Sequence, residues 1–474
     1  MIDWRFLLNE ERRRPSRSGS HTRKGDRLEF ERDYDRILFS TPVRRMADKT
    51  QVFPLEKHDA VHTRLTHSME VSALARSIGF DLVSRFSKKI GLSGGRNELR
   101  RVSSLMAAVG LVHDIGNPPF GHQGEDAIRA WFTQNEKTVF GKAALVDKKL
   151  RQDFLQFEGN AQTFRLVTLL QFQGDQTGLN LTYGTLAALL KYTVSADRAR
   201  KRAAAAGAHK PGFFKSEEAL VKTVWKKTRL KVGQRHPLTY LVEACDDICY
   251  GVIDVEDTVK KDLASYADVV ALLSDAYPTD PVIAGVLEYS ASQREKIKRS
   301  LGGTRLSPKE LDDLSMQTFR VAAISAMVSA APETFVANFR EIGLNRFRGD
   351  LLTSGSASCL RDGLKQLREE ITFPHRSILE VELRGSLVIT ELMDKLWRAI
   401  VNRTDPADPT SKRTDRLSAY TYGRISENYR RVFENSTHGL PIRYREAQLL
   451  VDMIAGMTDT FALTLLKDLR QFDH

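Results

Sequence analysis

The stretch LVHDIGNPPFGHQGED, residues 111–126, decides how this chain is read. It begins as helix, because Leu105, Ala108, Val109 and Val112 recur at helical spacing. It then breaks at Pro118-Pro119, which remove two backbone donors and disfavour the helical conformation before them. His113 and Asp114 therefore stand where the chain leaves regular helix. The Gly116-Asn117-Pro118-Pro119 turn lets these adjacent side chains serve one point. Metal chemistry needs that convergence of imidazole nitrogens and carboxylate oxygens, with a coordination position left open for water.

Outward from this turn, a histidine on a helix (His67) precedes the His-Asp pair by 46 residues, and a carboxylate on another apolar helix follows it. Asp246, Tyr250 and Asp254 are spaced i, i+4, i+8 and share one helical face. Asp247 is rotated about 100° away and is the poorer ligand candidate. A carboxylate on an apolar helix is costly to bury unless paired or metal-bound, which favours a ligand role on this face. Cys245 and Cys249 flank it as small core residues. Met69, Leu74 and Ile78 mark a further helical stripe, and more helical blocks are expected at 238–273, 284–300, 308–330, 377–402 and 442–470. The predicted fold is all-α, with few or no strands.

The 474 residues carry 72 Lys+Arg against 60 Asp+Glu, a net +12, and 41% are hydrophobic. That excludes a wholly disordered chain. Three cysteines exclude a disulfide scaffold and fit a reducing compartment. No uninterrupted apolar run approaches the roughly 18–20 residues that span a bilayer, and the N-terminus lacks the apolar core of a signal peptide. A soluble, cytoplasmic protein without membrane attachment is expected. Residues 1–30 read as a basic, flexible arm (Arg12, Arg13, Arg14, Arg17, Arg23, Lys24). Between Lys191 and Arg235 there are 13 Lys+Arg against 3 acids, a local excess of +10. That excursion reads either as a solvated loop or as a surface for phosphate or nucleic acid.

His67, His113-Asp114 and Asp246 resemble the signature of HD-domain metal-dependent phosphohydrolases. The wider motifs RRMADKTQVFPLE (44–56), TRLTHSMEV (63–71), HDIGNPPFGHQGE (113–125), FEGNAQTFRL (157–166), LKYT (190–193), EACDDICYGVIDVED (243–257) and IAGMTD (454–459) are similar to bacterial deoxyguanosinetriphosphate triphosphohydrolases, in their long form. The resemblance implies that His67, His113, Asp114 and Asp246 hold a divalent metal, Mg²⁺, Mn²⁺ or a similar ion. It implies that His122 and Glu125, three apart, form the catalytic pair beside the α-phosphate. Arg45, Arg64, Asn160 and Lys191 would contact the triphosphate, with Tyr192 beside them in LKYT. Gln51, Tyr250 and Asp254 would read the deoxyribose, Tyr250 packing where a 2′-hydroxyl would otherwise sit. The implied reaction takes dGTP, or another dNTP, to the deoxynucleoside and tripolyphosphate.

The residue types suit that chemistry. A triphosphate carries about four negative charges, so its site needs several cations besides a metal. Arg forks onto phosphate oxygens, and Lys acts as a mobile point charge. His122 suits proton exchange, with Glu125 holding its tautomer. Two departures stand out: His62 occupies a position where the family often has Arg, and Met453 one where it often has an aromatic. The expected organisation is the arm over 1–30, an HD catalytic core over 31–275 with the basic excursion at about 196–236, and a helical region over 276–474. That last region would complete the nucleotide pocket, with Arg416, Tyr420, Tyr422, Arg424 and Tyr429 as candidate liners, and would supply contacts for a homo-oligomer, by resemblance a hexamer. Two rival activities are a broader dNTPase activated by a second nucleotide and a single-stranded nucleic-acid-binding HD protein with nuclease activity. Single-stranded DNA on the basic surface is compatible with hydrolysis.

Overall fold

The computed structural model describes residues 2–15, 27–53, 61–141, 146–171, 177–200, 207–300, 306–435 and 439–472. Among these, helices dominate, and the strands are a short parallel pair, Val194–Ser195 with Pro211–Phe213. The all-α expectation holds. At the centre, Arg64–Ile90 packs along Arg96–Val112, and Pro237–Lys260 lies across them. Pro308–Ala337 backs the Pro237–Lys260 helix and pairs with Pro281–Ser300. Arg376–Val401 spans Gly121–Gln134, Ile442–Ala455 and Asp459–Arg470. The C-terminal helices thus complete the wall behind the His-Asp turn.

Several expectations need correction. The central stripe runs through Val71, Ala75, Ile78 and Leu82, each buried, whereas Met69 is 52% exposed. The block 238–273 is two helices: the first stops near Asp262, at φ +56°, and the second starts at the Ser265 cap. The block 442–470 likewise breaks at Gly456–Thr458. Pro308–Ala337 is long and apolar enough to cross a membrane by composition, which a search for uninterrupted apolar runs overlooks. Here its buried face packs inside the protein.

The described start of the chain does not behave as a flexible arm. Trp4, Leu7 and Leu8 are buried, and the Trp4 indole donates to the Ile90 carbonyl at 2.7 Å. Arg12 is buried against Glu29 and Asp33 at 2.7 and 2.5 Å. Apolar Trp4 and Leu7 on one short helix account for this docking. Arg17, Arg23 and Lys24 lie outside the described residues. Nor is 196–236 a loose loop: Phe213, Phe214, Val221, Val224 and Trp225 are buried core, and Glu218–Thr228 is helical. Much of its charge is paired, Lys215 with Asp197 and Glu218, and Arg235 with Glu243. Lys201 and Arg202 lie outside the described residues.

Candidate metal centre and phosphate-facing site

The helix Arg96–Val112 ends one residue before His113, and the chain turns through 113–120 into Gly121–Gln134. The turn is packed too closely for side chains at two points. A Cβ on Gly116 would lie 2.3 Å from the Gly159 carbonyl oxygen, and one on Gly124 would lie 2.1 Å from that of Pro119. Phe120 adopts φ +61°, a left-handed conformation that costs a non-glycine residue about 1 kcal/mol or more. Its N–H donates to Asp459 Oδ1 at 3.0 Å, and the other oxygen of Asp459 takes the Thr50 N–H at 3.0 Å and the Thr50 hydroxyl. The motif at 454–459 is therefore a clamp on the turn that launches His122.

His67, His113 and Asp246 converge: one ligating atom from each lies within 4.8 Å of the others. Asp246 Oδ1 is 3.2 Å from His67 Nε2 and 3.4 Å from His113 Nε2. The His113 Nδ1–H donates to the Gly110 carbonyl at 2.7 Å, while its buried Nε2 makes no hydrogen bond. That arrangement fixes the ring and aims Nε2 at the cluster, as in metal-ligating histidines. Asp114 Oδ1 is 3.5 Å from His113, and its carboxylate is held by Arg64 and, at 2.9 Å, by the Asn117 amide. Burial opposes charge on His113, yet Asp114 and Asp246 hold it up to about 9, so the centre favours a cation. The donor set of two imidazoles and two carboxylates fits a divalent ion. Asp247 stands outside the cluster, as its angle on the helix requires.

Cations surround this centre. The Lys191 ammonium is 3.2 Å from Asp246 Oδ2. Arg64 is buried and also donates to the Thr50 carbonyl at 2.9 Å. His122 leaves 74% of its side chain exposed, with Nδ1 3.1 Å from the buried Glu125. The hydrogen bond to Glu125 is the main reason that the His122 pKa is raised. Glu125 in turn accepts the Gly159 N–H at 2.7 Å. Asn160 is one residue further on, its amide donating to Glu158 at 2.9 Å. Lys210 was not singled out from sequence. It pairs with Glu158 at 3.2 Å and lies over the Tyr192 ring at 5.8 Å, bringing one charge of the basic excursion toward His122 and Glu125. Only the parallel strand pairing of 194–195 with 211–213 brings it back, so spacing could not have found it.

Two other sequence candidates sit differently. Arg45 donates to the Tyr429 hydroxyl at 3.0 Å and the Gly456 carbonyl at 2.9 Å. It lines a cavity of about 330 Å³ with Arg424, Tyr429, Met453 and Phe461, a cavity not lined by the metal-cluster residues. Its Nη1 serves both protein acceptors there. His62 is bracketed by Glu70 at 3.3 Å and Asp257 at 2.9 Å. Burial works against its charge, but these carboxylates hold it up to about 10, so a cation persists at this position while facing protein acids. Gln51 presents a buried Oε1 without a partner. Lys49 is buried between the carbonyls of Asn117 and Ala455 at 2.6 and 2.7 Å, and burial lowers it to about 7.

Tyr250 and Asp254 line the same face of Pro237–Lys260 as Asp246, and a residue of the C-terminal half reaches them. The Arg368 Nη1 donates to Asp254 at 3.1 Å. Burial pushes Asp254 up to about 7 despite that arginine. Arg368 is not among the liners that the sequence suggested for this region, since an isolated arginine among many carries no spacing signal. Tyr422 is engaged with Glu434 at 2.7 Å, and Arg424 with Tyr420 at 2.9 Å.

The comparisons agree with this geometry. Residues 64–189 match the HD domain family model. A deoxyguanosinetriphosphate triphosphohydrolase-like protein of Listeria monocytogenes is 34% identical, over 99% of both chains. One of Pseudomonas aeruginosa is 33% identical over 99% of this chain and 98% of its own. A deoxyguanosinetriphosphate triphosphohydrolase of Yersinia pestis is 32% identical over 91% of this chain and 92% of its own. With near-complete coverage and the HD residues gathered at one centre, the chain belongs to the deoxyguanosinetriphosphate triphosphohydrolase family of HD-domain proteins.

Proposed function

We propose that this protein hydrolyses deoxynucleoside triphosphates, dGTP foremost, to the deoxynucleoside and tripolyphosphate by attack of water at the α-phosphate. The observation that carries the reading is the convergence of His67, His113 and Asp246 beside an exposed His122 backed by buried Glu125. His67, His113, Asp114 and Asp246 would hold Mg²⁺ or Mn²⁺, which lowers the pKa of water and neutralises phosphate charge when bound. Lys191, Lys210, Arg64 and Asn160 supply donors along the triphosphate, and each cation offsets charge that develops as the bond to the α-phosphorus breaks. His122 passes a proton between solvent-side oxygens and its own ring, while Glu125 keeps Nδ1 hydrogen-bonded and Nε2 turned outward. Gln51, Tyr192, Tyr250 and Asp254 bound the nucleoside end.

The proposed enzyme is a cytoplasmic homo-oligomer, hexameric by family likeness, and binds single-stranded DNA through exposed Arg198, Arg200, Lys222, Lys226 and Lys231. One observation favours the rival reading of a broader dNTPase activated by a second nucleotide. The cavity of about 330 Å³ joins two arginines, Arg45 and Arg424, to an apolar wall. Product analysis with dGTP and Mn²⁺ tests the main reading: deoxyguanosine with tripolyphosphate supports it, and release of orthophosphate or pyrophosphate overturns it. Hydrolysis that requires a second dNTP in the mixture selects the rival.

A further inference from the structure

Arg368 carries an inference beyond that reading. Its guanidinium carbon lies 4.0 Å from the centroid of the Tyr250 ring, a cation–π distance. The same group donates to Asp254 Oδ2 at 3.1 Å and to the Tyr250 backbone carbonyl at 3.3 Å. The Arg368 side chain is 9% exposed and that of Asp254 3%. Phe373 stands 6.0 Å from the guanidinium on its own element.

The backbone beneath is unusual. Ser358–Leu367 is α-helical, but Arg368–Thr372 widens into a π turn, a feature that recurs at functional sites. The widened turn is fastened to the opposite helix. Thr258 donates its hydroxyl to the Asp254 carbonyl at 2.6 Å, which leaves Thr372 to donate to Thr258 Oγ1 at 2.7 Å. The turn, the guanidinium and the Tyr250–Asp254 face thus form one fixed unit joining the C-terminal half to the catalytic helix.

A tyrosine ring covered on one face by a planar cation cannot swing toward it. Only its other face and edge remain for a ligand. Removal of that cover gives the ring room to retreat, and a sugar with one more hydroxyl then fits.

We propose that Arg368 is the positioning residue for deoxyribose selection: it pins the Tyr250 ring from behind and anchors Asp254, so that the pocket rejects a 2′-hydroxyl. This rests on the nucleoside-end role given above to Tyr250 and Asp254. Lys in place of Arg keeps a charge for Asp254 but offers no plane to cover the ring, so Arg368→Lys separates positioning from structural support. Arg368→Met removes both.

The test measures kcat and KM for dGTP and for GTP with Mn²⁺, alongside thermal midpoints. For R368K we expect a midpoint within a few degrees of the parent, kcat on dGTP little changed, KM raised about tenfold, and preference for dGTP over GTP reduced about tenfold. For R368M we expect at least as large a loss of preference, and R368K alone decides if R368M does not fold. An unchanged KM and an unchanged dGTP/GTP ratio in R368K overturn the assignment. So does a loss of kcat with the ratio constant, which would make Arg368 a structural or phosphate-facing group. If the parent protein hydrolyses no dNTP, the underlying reading fails at that step and this assignment falls with it.

Discussion

Replacing Asp459 with Ala removes a carboxylate that joins the C-terminal motif to the turn before His122. Asp459 is 2% exposed and accepts three hydrogen bonds, from the Thr50 N–H, the Thr50 hydroxyl and the Phe120 N–H. Hydrogen bonds to a charged group contribute roughly 1.5–3 kcal/mol each, and an orphaned buried N–H costs about 1–3 kcal/mol. Burial raises the Asp459 pKa, so desolvation of the carboxylate offsets part of that gain. The net loss for D459A is therefore about 3–5 kcal/mol. D459N keeps one acceptor oxygen but turns an amide N–H₂ toward a backbone donor, for a loss of about 2 kcal/mol. Function should fall with stability. Thr50 also aligns Arg64 through its carbonyl, and Phe120 at φ +61° sets the start of the His122 helix. The assay is guanidinium unfolding followed by tryptophan fluorescence, where Trp131 and Trp397 report from the helices behind the turn. The dGTP hydrolysis rate of the folded variants is measured in parallel. We expect midpoints ordered parent, Asn, Ala, and at least a tenfold rate loss for Ala. A D459A protein that unfolds at the parental midpoint and turns over at the parental rate would refute the clamp.

Three further outcomes are expected. H122A should lose about 10²–10⁴ in kcat while keeping the Mn²⁺-induced rise in thermal midpoint, because His122 lies outside the cluster; a full rate in H122A removes its proton-transfer role. R165M should destabilise by about 3–5 kcal/mol, since it strands Asp452 and Glu217, each held by Arg165 at 2.8 Å in the interior; a midpoint shift below 1 kcal/mol in denaturant unfolding would contradict that. Asp153, which accepts from Tyr444 at 2.6 Å, is raised by burial to about 7. A raised acid favours the folded state fully only below its unfolded pKa of about 4, and that stability declines as pH rises toward 7 and stays lost above. D153N should therefore gain on the parent between pH 5.5 and 8 in thermal midpoint, and parallel curves would dismiss the buried acid as a source of pH dependence.

Much of the chemistry was legible because it is written in local terms. The Pro118-Pro119 break after a periodic apolar run located the His113-Asp114 turn, and the i, i+4, i+8 spacing ranked Asp246 above Asp247. The same logic placed His122 beside Glu125 at i, i+3, which the 3.1 Å contact matches. Cys245 and Cys249 read as core and are fully buried.

What depended on long-range packing was not legible. Lys210 reaches Glu158 only through a strand pair whose residues are 17 apart or more in sequence. Arg45 matched a motif, yet its partners, Tyr429 and Gly456, lie 384 and 411 positions away and engage its Nη1. Arg165 reads as one more cation in a motif, and only tertiary structure reveals two buried acids around it. The basic excursion looked like surface because charge is counted along the chain, whereas its phenylalanines, valines and tryptophan decide burial in three dimensions. The sequence by itself determined the helical class through periodicity and the family through its motifs, and its spacing pointed to His67, His113 and Asp246 as groups that could converge. Tertiary structure alone decided which cations face the centre and which are neutralised by protein acids, because a side chain's charge acts over a few ångströms of space and not along the sequence.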